Sequence, residues 1–302
     1  MAILTGSISL TRFNITPRLE EPPFDKEAFV EIQPGTTTRE TSGFLPFEPE
    51  GAYQTGAARY FFRIRFDKLT PDPVAVKERL RELIRLEFEQ GAEFVGPKKR
   101  KMLKELAEEE LLAQTRPRTK IIEGCMDGSV LYVGSTAKNY IGRVLELLRR
   151  IGVQTELKAP WLERDDPEVE SSILEMKEPG ESVLGSRFLK LLVGDREILI
   201  EPENGMARLQ TKDAKVSLTG AILPDLIEYI EEGAEVLSAK LLTAIGPMKF
   251  DGLPFRISNL RVETEKHDHW TEYLDERLQK IAAVFELLEG RYEELRPQLI
   301  KE

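Results

Sequence analysis

The sequence predicts an α+β fold with mainly antiparallel sheets and interleaved helices. Strand-like segments, which alternate apolar and polar residues or are rich in aromatic and β-branched residues, are joined mostly by short turns of the hairpin kind. Segments with apolar residues three and four positions apart, a spacing typical of amphipathic helices, separate these hairpins. Because hairpins dominate the strand pairs while helices recur between them, we expect antiparallel sheets within an α+β arrangement.

Two halves are predicted, 1–152 and 153–302, with a soft boundary around 159–185, where Pro, Asp and Gly are frequent. The halves can also interleave in one fold. In the first half the patterns predict a strand at 7–15, an ordered loop at 31–56, a strand at 59–66, helices at 74–90 and 98–114, a hairpin at 120–135 and a helix at 137–151. Asp127-Gly128 predicts a type I′ turn in that hairpin.

The second half is predicted to repeat the order of strands followed by a helix. Its patterns indicate strands at 187–193, at 197–201 and after Asn204-Gly205, a helix at 221–232, strands at 234–244 and 254–262, and a closing helix at 271–288. Pro224 falls in the first turn of the helix at 221–232, where a missing N–H costs little.

Composition excludes several classes of protein. The chain has 302 residues, of which 41% are hydrophobic and 32% charged, and no apolar run approaches the roughly 18 residues of a membrane span. The N-terminus lacks a basic segment leading into a long apolar one, so we expect no signal peptide. The single cysteine, Cys125, excludes an internal disulfide framework and a cysteine-based zinc site. We therefore expect a soluble, cytoplasmic protein that does not contact a membrane.

A basic segment at 98–120 is the most unusual local feature. It holds eight basic and four acidic residues, a net charge of +4 in a chain whose total is −10. The basic residues are Lys98, Lys99, Arg100, Lys101, Lys104, Arg116, Arg118 and Lys120. Lysines at a helix N-terminus oppose the helix dipole, so helix stability does not explain them. Contact with nucleic-acid phosphates would explain these lysines. The alternative interpretation is a solvated charged face.

Other candidates for chemistry are weaker. Asp166 with Glu175 and Lys177 has the residue types of a Mg²⁺-dependent nuclease, but such spacings arise by chance in a chain this charged. His267 and His269 are the only histidines, and an exposed polar turn is a better interpretation of them than a metal site. No G-x-S-x-G motif accompanies them.

The succession of motifs between 42 and 152 resembles the recombination-associated protein RdgC family of bacteria, over a little more than a third of the chain. The residues that carry the resemblance are Ser42-Gly43-Phe44-Leu45-Pro46, the strand Arg59–Phe66, Leu69-Thr70-Pro71-Asp72-Pro73 with Val76-Lys77, Glu87-Phe88-Glu89-Gln90, Pro97-Lys98-Lys99-Arg100-Lys101 running into Leu106–Leu112, the Arg116–Arg118 turn, Leu131-Tyr132-Val133, and Ser135-Thr136-Ala137-Lys138. Beyond Gly152 the likeness is mostly one of element order.

The resemblance implies a protein that is not an enzyme, needs no cofactor and binds double-stranded DNA without sequence preference. Members of the family form a ring-shaped homodimer with a basic hole, are acidic overall and restrain recombinase filaments on DNA. The eight basic residues of the 98–120 segment would then line the hole, and the protein would associate with the nucleoid. A Mg²⁺-dependent nuclease and a protein-interaction module that docks an acidic partner remain the alternatives.

Overall fold

The computed structural model describes residues 3–17, 19–33, 38–47, 53–56 and 58–301. They form an α+β structure in which the ladders between the strands are antiparallel, as the sequence predicts. The elements in chain order are β1 (Ile8–Thr16), β2 (Glu40–Leu45), β3 (Gln54–Gly56), β4 (Arg59–Lys68), α1 (Pro73–Glu89), α2 (Pro97–Leu112), β5 (Arg118–Asp127), β6 (Val130–Val133), α3 (Lys138–Arg150), β7 (Gln154–Leu157), α4 (Pro160–Glu163), α5 (Val183–Leu191), β8 (Leu199–Ile200), β9 (Gly205–Gln210), β10 (Lys215–Gly220), α6 (Leu223–Glu231), β11 (Glu235–Leu242), β12 (Pro247–Asp251), β13 (Arg256–Leu260) and α7 (Trp270–Leu299). Within the described ranges, no helix is both long and apolar enough to cross a membrane.

The chain divides into two compact units. The first comprises Met1–Pro23, Pro46–Phe62 and Ile122–Glu302, and the second comprises Phe24–Leu45 and Arg63–Ile121. The bounds of the units fall within β4 and β5. These units do not coincide with the predicted halves 1–152 and 153–302, because residues 122–152 belong to the same unit as the rest of the chain after them.

The first unit is built on a sheet and the long helix α7. Its strands follow the order β10-β9-β11-β12-β13-β1-β6-β5, with β7 also paired to β1 and β8 to β11. The helices α4 and α5 pack against α7. Aromatic rings fill the core between them. The ring centroids of Phe250 and Phe255 are 5.0 Å apart, and those of Phe255 and Phe285 of α7 are 6.4 Å apart. Burial of these large side chains stabilises the unit.

The second unit joins a small sheet to a helical hairpin. Its sheet pairs β2 with the end of β4 in the register Gly43↔Arg65 and Phe44↔Ile64. The backbone at Phe29 crosses β2 so closely that a Cβ at Gly43 would lie 2.5 Å from it, which requires glycine at that position. The Phe29 ring then packs under the Arg65 guanidinium, 4.5 Å from ring centroid to carbon. The hairpin of α1 and α2 follows directly from β4.

Most of the predicted elements are confirmed, but three predictions differ from the structure: the strand at 187–193, the loop at 31–56 and the turn at Asp127-Gly128. The segment at 187–193 lies mainly within the helix α5 rather than in a strand, because Ser182 caps it through the Leu184 N–H and its apolar residues repeat at helical spacing. The predicted loop at 31–56 contains β2 and β3, while its residues 34–37 and 48–52 lie outside the described residues. The strands β7, β10 and β12 and the short helix α4 were not predicted.

The turn between β5 and β6 also differs from the prediction. Asp127 pairs with Val130, so the two central residues are Gly128 and Ser129 rather than Asp127 and Gly128. Only Gly128 has a positive φ, at 62°, which is the pattern of a type II′ turn and not of type I′.

Candidate nucleic-acid interface

The helix α2, which carries five of the eight predicted basic residues, is positioned by its hairpin with α1. Asp72 begins α1 by accepting a hydrogen bond from the Val74 N–H at 3.0 Å, and Pro73 occupies the first helical position. Gly91, with φ at 97°, follows the end of α1 in a conformation that favours glycine. Pro97 then begins α2 after the extended Gly96. These capping residues, prolines and glycines fix where each helix starts and ends.

Apolar packing and two ion pairs hold the hairpin together. Leu83 of α1 is buried against Leu103 and Ala107 of α2. Arg79 of α1 donates to the Glu110 carboxylate at 2.6 Å, which lowers the pKa of Glu110. Lys99 lies 2.9 Å from Glu87 at the other end of the hairpin. Pairs of this exposed kind each contribute little, so the buried leucines carry most of the packing energy.

The basic residues of α2 are all exposed, but they differ in their partners. Lys98, Lys101 and Lys104 are three residues apart and therefore lie on one side of the helix. Carboxylates on the next turn lie 3.9 Å from the Lys101 ammonium and 3.6 Å from that of Lys104. Lys98 and Arg100 have no carboxylate within ion-pair distance among the residues that the structure describes.

The three remaining basic residues lie where the chain passes from α2 into β5. Arg116, Arg118 and Lys120 are exposed, and across the described part of the chain none of them meets a carboxylate at ion-pair distance. Arg118 and Lys120 alternate with Thr119 and so share one face of β5. Among the described residues, five cations at 98–120 thus have no internal counter-charge, which leaves them available to an anionic partner.

The orientation of β5 is fixed by a buried carboxylate. Thr119 donates a hydrogen bond to Asp67 of β4 at 2.7 Å, and Arg65 donates two more at 2.9 and 2.7 Å. Although burial alone would oppose ionisation, the hydrogen bonds from Arg65 and Thr119 lower the pKa of Asp67. Because side chains alternate along a strand, Arg118 and Lys120 face the same side of the sheet as Lys68, away from Asp67.

Three cations that the sequence analysis did not select adjoin this region. Arg39, Lys68 and Lys77 line a groove of about 570 Å³ in the second unit, together with Lys104 of α2. They precede β2, end β4 and belong to α1, respectively, so no single stretch of sequence shows them as a cluster. The structure therefore extends the basic surface around Lys104 beyond the 98–120 segment.

The residues of the nuclease alternative have other partners in the structure. The buried Asp166 carboxylate accepts hydrogen bonds from Tyr292 and from the Nε atom of Arg296, both at 2.7 Å, and a second guanidinium nitrogen of Arg296 lies at ion-pair distance, 2.6 Å away. Burial, and next the hydrogen bond to Asp166, raise the pKa of Tyr292. Glu175 and Lys177 are exposed. Across the described ranges, no group of three His, Cys, Asp or Glu side chains is placed to hold a metal ion.

The two histidines have local structural contacts. His269 is the N-cap of α7 and accepts from the Thr271 N–H at 3.4 Å. The Nε2 atom of His267 lies 2.8 Å from the Glu276 carboxylate of the same helix. Cys125 is fully buried, and burial raises the pKa of its thiol. A buried thiol of this kind is not a nucleophile.

No protein-family model matches the chain, and no curated protein matches it significantly.

Proposed function

We propose that this protein binds double-stranded DNA without sequence preference, as a homodimeric clamp that restrains recombinase activity in DNA recombination. The observation that carries the proposal is the group of five exposed cations between 98 and 120 that have no carboxylate partner among the described residues. Exposed Lys and Arg side chains contact phosphates, which position a duplex without reading its sequence. Association with the nucleoid follows from that binding.

The charge distribution supports a confined binding surface. The chain carries −10 in total and +4 between 98 and 120, so the remaining residues carry −14. A polyanion is attracted only where the local potential is positive, and the negative remainder repels it elsewhere. A homodimer presents the basic segment twice by symmetry, so that a modest charge per subunit suffices for tight binding.

Salt dependence of DNA binding tests the proposal. Fluorescence anisotropy of a labelled random-sequence duplex is measured against protein concentration in EDTA over a salt series. If each protomer engages the five cations, a dimer neutralises about ten phosphates, and log K falls against log salt with a slope of about −9. Equal affinity for duplexes of different sequence is expected. Flat anisotropy at low salt would refute DNA binding.

A clamp makes a further prediction about DNA ends. A ring that encircles a duplex can slide off linear DNA but stays on a covalently closed circle. After binding at low salt, a challenge with high salt should release the protein from linear DNA faster than from relaxed circular DNA of the same sequence. Equal release rates, with DNA binding intact, would refute encirclement alone. In the same way, unimpeded recombinase filament assembly on protein-bound duplex would refute the recombinase role.

A further inference from the structure

The groove of the second unit combines an apolar floor with a basic rim. Its floor is formed by side chains at the end of β4 and the start of α1, namely Leu69, Pro71, Pro73, Val76 and Leu80. Its volume of about 570 Å³ falls within the range of ligand-binding clefts. Pro71 and Pro73 each have a fixed φ, which restricts the backbone in this part of the floor.

Cations outnumber carboxylates along the rim. Lys68 pairs with Glu40, while Glu108 lies 3.6 Å from both Arg39 and Lys104. Lys77 projects from the first turns of α1 and is exposed, and within the described ranges no carboxylate lies at ion-pair distance from it. In the described part of this unit, four cations thus face two carboxylates, and one cation has no internal partner. This excess of positive charge suits an anionic ligand.

The floor distinguishes between possible anionic ligands. A phosphate backbone gains from cations but gains nothing from a wall of proline and aliphatic carbon. A peptide that carries both a large apolar side chain and carboxylates satisfies the floor and the rim together, because burial of the apolar group drives binding while the charges set its orientation. Hydrophobic grooves and clusters of basic side chains are both known means of recognising short peptides.

We propose that the groove binds a short acidic peptide segment of a partner protein, with one or two large apolar side chains seated on the floor and carboxylates at the basic rim. Lys77 is the rim cation best placed to bind a peptide carboxylate, since its ammonium has no carboxylate partner among the described residues. This inference goes beyond DNA binding: a partner captured by an acidic segment would be brought to the DNA that the same unit contacts. It does not depend on the clamp.

The probe is a fluorescein-labelled heptapeptide, Asp-Glu-Asp-Leu-Asp-Phe-Leu, with a free C-terminal carboxylate. Its binding to the full-length protein is followed by anisotropy, and saturable binding is expected. Lys77→Glu should weaken it about 5- to 10-fold, because a reversed charge removes one attraction and adds one repulsion. The matched control Lys266→Glu reverses the charge of an exposed lysine in the first unit and should change the affinity less than about 2-fold.

The role of the floor is tested in the peptide, because Val76 and Leu80 also pack within the unit and their replacement could unfold it. A second peptide with Gly in place of its Leu and Phe residues should bind about 10-fold more weakly or worse. Absent binding, equal effects of Lys77→Glu and Lys266→Glu, or equal affinity of the two peptides would each overturn the proposal. Displacement of the peptide by duplex DNA, with Lys77→Glu weakening both ligands alike, would assign the groove to DNA instead.

Discussion

Removing the unpaired cations of α2 should weaken DNA binding by a calculable amount. In the double variant Lys98→Ala/Arg100→Ala, each protomer loses two exposed cations that have no carboxylate partner in the described part of the chain. A dimer then neutralises about six phosphates instead of about ten, so the salt slope falls from about −9 to about −5. Between 50 and 200 mM salt, affinity should drop about 10⁵-fold for the wild type but only about 10³-fold for the variant.

Unfolding of the Lys98→Ala/Arg100→Ala variant would not account for this loss of DNA affinity. Both side chains lie in the first turns of α2, where a positive charge opposes the helix dipole, so their removal should leave the helix at least as stable. Anisotropy over a salt series measures the slope, and circular dichroism checks the helix content. The matched control Lys212→Ala/Lys266→Ala removes the same charge from exposed positions of the first unit. An unchanged slope in the α2 variant, or an equal change in the control, would refute the assigned contact.

Three further predictions concern stability and chemistry. Leu103→Ala should lower the free energy of unfolding in urea by about 2–5 kcal/mol, because Leu103 is buried between the hairpin helices; a change below 1 kcal/mol, roughly that of an exposed site, would show that the hairpin does not pack as described. The folded state lowers the pKa of Asp67, so its ionised carboxylate contributes stability above its unfolded pKa of about 3.9, and this contribution is lost as pH falls through the folded pKa. In Asp67→Asn, the urea midpoint should therefore change less with pH at the acidic end than in the wild type. Identical pH profiles of the two proteins would contradict this. Asp166→Asn should lower the free energy of unfolding, because a neutral amide replaces the carboxylate that accepts hydrogen bonds from Tyr292 and Arg296. Radiolabelled duplex incubated with Mg²⁺ should stay intact with the wild type; cleavage that this variant abolishes would establish the nuclease alternative.

Local patterns predict β4, α1 and α2 of the second unit well, although they miss β2. The aromatic and β-branched run at 59–66 becomes β4, and the helical spacing of leucines with Pro73 and Pro97 at the starts becomes α1 and α2. These signals are strong because the turn chemistry and the hydrophobic period agree along each segment. In the structure, the basic residues at 98–120 lie on exposed positions of α2, of the turn after it and of β5.

Tertiary contacts determine the structural features that local sequence patterns do not predict. The apolar segment at 187–193 is compatible with a strand when its sequence is taken alone. In the structure, it belongs to α5, where Gly185 packs so closely against Gly252 that no Cβ would fit. The groove is similarly invisible in sequence, because Arg39, Lys68 and Lys77 come from separate elements. Their spacing along the chain carries no signal that they share one rim.

Lysine footprinting with and without DNA tests the central claim most directly. The protein is labelled with an amine-reactive reagent in the presence and absence of a random-sequence duplex in EDTA, and modification at each lysine is quantified by mass spectrometry. DNA should protect Lys98, Lys101, Lys104 and Lys120, while the exposed Lys212 and Lys266 should react as in the free protein. Equal modification of all six lysines at saturating DNA, or protection confined to the first unit, would contradict a nucleic-acid interface at 98–120.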